Sequence, residues 1–256
     1  MPTFDTPLLI LLGCVLVAGT AKGLSGFGTG MIVAPIAGAL YGPKTALIVI
    51  VIIDALPSIP VTIPVLRIAL WREVIPVFVG LFLTVPIGVL ILKHGDPTVL
   101  RWIISVAILI CVAALWSGWR YRGPRGMAVS GAVGGIAGIL SGIASIPGPP
   151  VIVYWLASGL ASAIVRANLL SLFFLGTLVS FTNIWFAGLF ERKAVTIALT
   201  VMPVYFAGIL AGWALFGLAT ERAYRAITFV MIVAAAILAL PALDGVFRAV
   251  AGAFAG

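Results

Sequence analysis

Charged side chains are scarce in this sequence. Only 9% of its 256 residues are Asp, Glu, Lys or Arg, whereas 63% are hydrophobic, and the mean hydropathy is +1.29. A soluble globular domain typically has about a quarter of its residues charged, so the composition excludes that class. It is typical of a chain whose surface faces lipid, where every backbone N–H and C=O must be bonded within the protein.

Cysteine and histidine are also rare. Cys14 and Cys111 both lie in apolar runs, where small buried hydrophobic residues are expected rather than a disulfide or a metal site. The one histidine, His94, lies in the polar turn 93–97. We expect no metal and no cofactor, and the sequence has no Walker motif for nucleotide-driven transport.

Long apolar runs supply the secondary structure. Runs of about 20 residues cross a bilayer as helices, and the alternating pattern of a membrane β-barrel is absent. The sequence therefore predicts an all-α polytopic membrane protein. Its eight hydrophobic segments are 8–41, 45–66, 73–92, 99–119, 127–157, 160–190, 194–218 and 226–247. Pro57, Pro60 and Pro64 are predicted to kink the second segment.

Glycine interrupts two of these segments. Residues 23–30 read Gly-Leu-Ser-Gly-Phe-Gly-Thr-Gly, and residues 138–150 contain a second Leu-Ser-Gly triplet that lies 116 residues after the first, close to half the chain. The sequence thus predicts two repeats, 1–119 and 127–256, joined by a polar loop at 120–126. Each repeat opens with a broken helix, over 8–41 and 127–157, followed by three helices. Such paired breaks mark the binding site of many transporters.

Basic residues lie mainly in short loops, where they act as topology signals. The net charge of +8 is therefore not taken to indicate nucleic-acid binding. If each broken segment crosses the membrane once, the side with both termini has eight Lys and Arg residues against five, which predicts cytoplasmic termini in an inner (plasma) membrane protein. If each broken segment is a re-entrant hairpin, the halves are inverted and the count becomes seven against six.

A helix break inside a membrane is tolerated where it lines a cavity or packs in protein. The N-terminus of the following half-helix presents free N–H groups and a positive dipole end, which favour an anion. The residues predicted to bind an anion are Ser25, Gly26, Gly28, Thr29, Gly30, Ser141, Gly142, Ser145 and Gly148. The alternative is that these glycines permit close helix packing or form a hinge.

Ionisable residues within apolar segments extend this prediction. Arg166 lies about two turns into the sixth segment, where its guanidinium could bind a substrate oxyanion, with Asn168 beside it. Lys22 lies at the first break and could attract the same anion. Asp54 lies deep in the second segment. It could carry a proton, or it could form a structural ion pair with Arg166 or Lys22.

The two motifs, together with residues 148–154 (Gly-Pro-Pro-Val-Ile-Val-Tyr) and 165–168 (Val-Arg-Ala-Asn), resemble the sulfite exporter TauE/SafE family, also called the toluene-sulfonate uptake permease family. The resemblance covers essentially the whole chain. It departs from the family at 144–146, where Ala-Ser-Ile replaces a commoner glycine triplet. It implies transport of a small sulfur-containing or organic anion, such as sulfite or a sulfonate.

The leading prediction is therefore a secondary transporter, not an enzyme, driven by a proton gradient or the membrane potential. An anion channel without alternating access is the alternative. A remote alternative is an intramembrane serine protease, because Gly23-Leu24-Ser25-Gly26 matches a short protease pattern that would need His94 as its base. The expected partners are a small anion, the lipid bilayer and a second copy of the chain in a homodimer.

Overall fold

The computed structural model describes residues 5–96, 99, 100 and 126–218, with shorter stretches and single positions in 102–113 and 220–233. Every regular element in these ranges is helical. The helices are α1 Thr6–Ser25, α2 Thr29–Tyr41, α3 Pro43–Ala55, α4 Ile59–Thr62 with a 3₁₀ turn Ile63–Arg67, α5 Trp71–His94, α6 Met127–Ala144, α7 Gly148–Leu156, α8 Ser162–Phe186 and α9 Arg192–Phe216.

Both predicted helix breaks are confirmed. α1 ends where Gly26 takes a φ of 87°, and α2 begins after Gly28, whose φ is 119°. These left-handed angles suit glycine because it has no Cβ. In the second half α6 ends at Ser145, which has a φ of 56°, and α7 starts three residues later. Each break is therefore a loop of three residues, 26–28 in the first half and 145–147 in the second, between two helical pieces.

The predicted kink in the second segment is also confirmed. α3 and the α4–3₁₀ piece are bent by 55° across residues 56–58. Pro57 lies in this bend and lacks the N–H that would continue the helical hydrogen bonds. The bend directs the chain away from the helix axis immediately after Asp54.

Glycines allow two helix pairs to approach very closely. α1 contributes Gly19 and Gly23, and α9 contributes Gly208 and Gly212. A Cβ at Gly19 would collide with the backbone oxygen of Tyr205. α6 packs against α5 in the same way, through the glycines Gly134, Gly138 and Gly142 of α6 and Gly80 and Gly88 of α5. Close packing of small residues replaces the hydrophobic effect as a source of helix association in lipid.

Contacts within these glycine interfaces fix the helix directions. Gly19 lies beside Gly208 and Gly23 beside Gly212, so α1 and α9 run parallel. Along α5 and α6, Val77 lies against Gly134 and Val85 against Gly142, with residue numbers rising together. α5 and α6 are therefore also parallel.

α8 connects the two pairs. The N–H of Leu70 donates to Asn168 at 2.8 Å, and Leu81 lies against Gly176, so α8 runs parallel to α5. Its direction is opposite to that of α9, because Arg166 stacks on Phe216 at the end of α9 whereas the later Thr177 shares a partner with the earlier Tyr205.

It follows that α1 and α9 run in one direction and α5, α6 and α8 in the other. Because α1 and α6 open the two predicted repeats, the halves are inverted relative to each other. Each large glycine interface joins helices of different halves, α1 with α9 and α5 with α6.

The prediction of an all-α polytopic membrane protein is confirmed. Five described helices are long and apolar enough to cross a membrane, or six if the bent α3–α4 pair is one span. The segments predicted at 99–119 and 226–247 and the loop at 120–126 lie largely outside the described residues, as does Cys111. The repeat boundaries stay a prediction.

The glycine interface can be tested in α1 alone. Gly19→Ala should lower the stability by ~1–3 kcal/mol, because the added methyl collides with the backbone of α9. Gly13→Ala is the matched control, since a Cβ there meets nothing within 4 Å and a better helix former should be neutral or raise stability by up to ~1 kcal/mol. Thermal unfolding in detergent measures both, and equal melting temperatures would contradict the tight interface.

Candidate functional site

The two helix breaks meet. A Cβ on Gly30, in the first turn of α2, would collide with the backbone oxygen of Ser145 at the end of α6. On the other side Gly148, at the start of α7, lies against the sulfur of Met31. The breaks of the two halves thus face each other in the protein interior, as the paired motifs predict.

A cavity of about 30 Å³ lies between the breaks. Its walls are formed by Lys22, Phe27, Gly28, Thr29, Gly30, Met31, Ile50, Asp54, Ser141, Ser145, Ile146, Pro147, Gly148, Phe173 and Thr177. This volume holds about two water molecules. Of the residues predicted from the sequence, the glycines and hydroxyls nearest the breaks, together with both Lys22 and Asp54, line this space.

The two half-helices offer different numbers of backbone donors to the cavity. In α2 the first intrahelical bond runs from Ile32 N–H to Gly28 O, at 2.9 Å, so the N–H groups of the three preceding residues have no acceptor within the helix. In α7 the residues after Gly148 are Pro149 and Pro150, which carry no N–H. The α2 end is therefore the stronger site for an anion.

A buried ion pair stands at the cavity wall. Lys22 Nζ lies 2.5 Å from Asp54 Oδ2, and the two side chains are 2% and 8% exposed. Lys22 comes from the end of α1, and Asp54 from the end of α3 just before the bend. Removing two charges from water is costly, and only a close partner of opposite charge makes it tolerable. Of the alternatives predicted for Asp54, the structure contains the pair with Lys22.

Hydroxyl groups from four further elements donate to the Asp54 carboxylate. Tyr205 in α9 donates at 2.5 Å, Thr29 in α2 at 3.1 Å, Thr177 in α8 at 3.2 Å, and Ser58 in the bend at 3.4 Å. With Lys22, this carboxylate has partners on α1, α2, α8, α9 and its own chain segment. It is the point at which both halves are tied together.

Three of these donors were not predicted from the sequence. Tyr205, Thr177 and Ser58 are hydroxyl residues in apolar segments, and a buried hydroxyl in a membrane helix is expected to face a polar partner rather than lipid. The sequence shows that they are present, but it cannot show that three separate segments direct them at one carboxylate.

Arg166 lies outside the cavity wall. Its Nη2 donates to the backbone oxygen of Gly23 at 2.5 Å, and its guanidinium carbon lies 4.1 Å from the centre of the Phe216 ring. The carbonyl end of a helix carries negative partial charge, which a cation stabilises, and an aromatic face does the same. In this structure Arg166 therefore fixes the end of α1.

Two other predicted residues at the first break have structural partners. Ser25 donates to the backbone oxygen of Ala21 at 2.8 Å and thereby completes the last turn of α1. Gly26 packs against the backbone and side chain of Arg166.

Two predicted residues of the second half also lie away from the cavity. Gly142 belongs to the glycine interface, where a Cβ would meet Val85 and Gly88 of α5. This is the close-packing role that the sequence left open as the alternative. Asn168 accepts the Leu70 N–H and ties α8 to the start of α5.

The residues of the protease alternative have separate environments. Ser25 is fully buried and bonded to Ala21. His94 is exposed at the end of α5, and its Nδ1 lies 3.1 Å from the backbone oxygen of Leu90. Each side chain is bonded within its own helix, and no hydrogen bond joins these two described residues in the structure.

The fold and the site define a polytopic α-helical membrane protein in which two inverted halves enclose a small polar cavity at facing helix breaks. The model of the sulfite exporter TauE/SafE family matches residues 11–239. The chain belongs to this family, and the resemblance noted from its motifs is confirmed. Comparison with curated proteins and comparison with solved structures each gave no match. Membership makes the chain a membrane transport protein.

The ion pair gives a prediction for stability. Lys22→Met should destabilise the protein by ~3–5 kcal/mol, because it leaves the Asp54 carboxylate buried without its cation. The double variant Lys22→Met with Asp54→Asn should recover most of this loss, since it removes both charges together.

Thermal unfolding of the parent, both single variants and the double variant gives the four stabilities of this double-mutant cycle. If the two single losses simply add in the double variant, the pair is not an interacting unit.

Proposed function

We propose that this protein is a secondary transporter that carries a small sulfur-containing anion, such as sulfite or a sulfonate, across the inner (plasma) membrane. The buried Lys22–Asp54 pair at the cavity between the breaks carries this proposal. The anion would contact Lys22, Gly28, Thr29, Gly30, Ser141, Ser145 and Gly148.

The chemistry of the cavity suits an oxyanion. The Lys22 ammonium supplies a full positive charge, and the free N–H groups at the start of α2 supply donors at the positive end of a helix dipole. The hydroxyls of Thr29 and Ser145 add two donors that can rotate to meet an oxygen. Each oxygen of a sulfite or sulfonate group can accept such bonds.

Asp54 and the anion compete for the same ammonium group. When Asp54 is ionised, it holds Lys22 at 2.5 Å. A proton that binds the carboxylate removes its charge and frees Lys22 for the anion. After the anion leaves, the Asp54 carboxyl group releases its proton on the same side, and the carboxylate then pairs with Lys22 again. Proton and anion therefore move together, and their combined gradients set the direction.

The size of the cavity favours a carrier over a channel. A sulfonate with an organic substituent is larger than the two water molecules that this cavity holds, so the site must widen to load it. A channel needs a continuous water-filled path, whereas a carrier opens its site to one side at a time. The α1–α9 pair and the α5–α6 pair, each tightly packed through glycines, provide two units that can rock against each other.

In this scheme Arg166 keeps the structural role described above. Its bond to Gly23 holds the carbonyl end of α1 one residue after Lys22, so it positions the cation rather than binding the anion. Direct contact with the substrate would require the guanidinium to leave Gly23 and Phe216.

Ligand-dependent stabilisation tests the site. Sulfite, sulfoacetate or isethionate should raise the melting temperature of the purified protein, since a ligand present at 100 times its dissociation constant stabilises the folded state by about 2.7 kcal/mol. Acetate and taurine serve as comparison ligands. The double variant Lys22→Gln with Asp54→Asn should unfold cooperatively without any shift.

Arg166→Gln is the matched comparison. It should lower the melting temperature of the free protein but keep the shift caused by the anion. If Arg166→Gln loses the anion-induced rise in melting temperature while the Lys22–Asp54 double variant keeps it, then Arg166 rather than Lys22 binds the anion.

Proton coupling has its own test in proteoliposomes. Asp54→Asn mimics the protonated carboxyl group, so exchange of labelled for unlabelled isethionate at equal pH should persist. Accumulation driven by a pH gradient should fall about tenfold or more, because the group that carries the proton is gone. A variant that still accumulates isethionate against its gradient would refute the role of Asp54.

A further inference from the structure

Buried hydroxyls continue from Asp54 along the bent segment. Ser58 follows four residues later and donates to Asp54 at 3.4 Å, and Thr62 follows after four more. The N–H of Thr62 bonds to the backbone oxygen of Ser58 at 3.0 Å, so helical spacing is kept between these two residues. Ser58 and Thr62 are at most 1% exposed.

α8 contributes further polar groups to the same region. It packs against α4 and the 3₁₀ turn and carries Asn168 and Ser171, both fully buried. Among the described residues, Thr62 Oγ1, Ser171 Oγ and Asn168 Nδ2 have no hydrogen-bond partner. Three such groups on elements that pack against each other call for an explanation, because buried polar groups are normally bonded.

This region leads from Asp54 to an exposed end of the bundle. Asn168 accepts the N–H of Leu70 at 2.8 Å, and Leu70, Trp71 and Arg72 are exposed at the start of α5. Thr177, which touches Asp54, lies further along α8 than Ser171 and Asn168. Along both chain segments, the residues with unpartnered groups therefore lie between the contacts to Asp54 and the exposed start of α5.

We infer that Ser58, Thr62 and Ser171, with water held by Asn168, form the route by which protons reach Asp54 from the end of the bundle where α5 begins. A buried water makes about three hydrogen bonds to groups that otherwise lack partners, and the three unpartnered atoms are such groups. Each hydroxyl or water oxygen accepts one proton and passes another on, so the chain transfers a proton without moving an ion. The inference rests on the proposed proton role of Asp54.

Other charged and titratable groups around Asp54 do not supply this route. Lys22 comes from α1 and Tyr205 from α9, and both face the carboxylate at 2.5 Å. Thr29 and Thr177 meet it from α2 and α8, on the side of the cavity. Ser58 is the contact that points along the bent segment, away from the anion.

The test compares two transport modes of the full chain in proteoliposomes, with isethionate as the probe. Thr62→Val combined with Ser171→Ala removes two hydroxyls and leaves the cavity wall intact. Accumulation driven by a pH gradient should fall about tenfold or more, the scale on which positioned proton transfer contributes. Exchange of isethionate at equal pH needs no net proton transfer and should be unchanged.

Two controls sharpen the result. Thr62→Ser keeps a hydroxyl and, combined with the native Ser171, should retain gradient-driven accumulation. Thr196→Val removes an exposed hydroxyl that bonds within its own helix and should change neither mode.

Unchanged accumulation in the Thr62–Ser171 double variant would overturn the proposed proton route. An equal loss of accumulation and exchange would also overturn it, because it would show that the substitutions damage the anion site itself. Failure of the proposed function looks different. In that case the unmodified protein itself would show no isethionate exchange, or exchange that ignores the pH gradient.

Discussion

A lysine and an aspartate that are both removed from water hold the centre of this protein together. Neither charge is stable there alone, because burial without a partner is too costly. Lys22 comes from the broken helix of the first half, and the Asp54 carboxylate also binds Thr177 and Tyr205 of the second. The pair is therefore a structural tie between the halves and, in the proposed function, also the charge arrangement that one proton opens.

The glycine interfaces make this tie compatible with movement. α1 packs on α9 and α5 on α6 through backbone contacts that tolerate no side chain. Because the backbones are in direct contact, each pair is expected to move as a rigid unit, even though its two helices come from different halves. The cavity, by contrast, is lined largely by the two breaks and the helix turns beside them, where fewer backbone bonds resist change, and is completed by Ile50, Phe173 and Thr177 from the interior of helices. Rigid pairs around a small, adaptable centre are what alternating access requires.

The two halves are related but not equal. Aligning their Leu-Ser-Gly triplets pairs Thr29 with Ser145, so both breaks keep a hydroxyl, but it pairs Lys22 with Gly138. The charge is therefore confined to the first half, and the second half uses the equivalent position for close packing against α5. The prolines after Gly148 reinforce the difference, since they remove backbone donors from α7. An anion would be held mainly by one half and enclosed by the other.

Local patterns in the sequence were enough to predict the class of protein, both helix breaks, the kink after Asp54 and the family, because hydropathy, glycine and proline act locally. It also selected Lys22 and Asp54, since charges are rare in lipid-facing chains. It could not decide whether Arg166 or Lys22 meets Asp54, or that Arg166 binds the carbonyl of Gly23. The folded chain settles both contacts and shows that the two halves run in opposite directions. The paired residues are 32 positions apart for Lys22 and Asp54 and 143 apart for Arg166 and Gly23, and their pairing depends on which helix faces meet rather than on any local pattern.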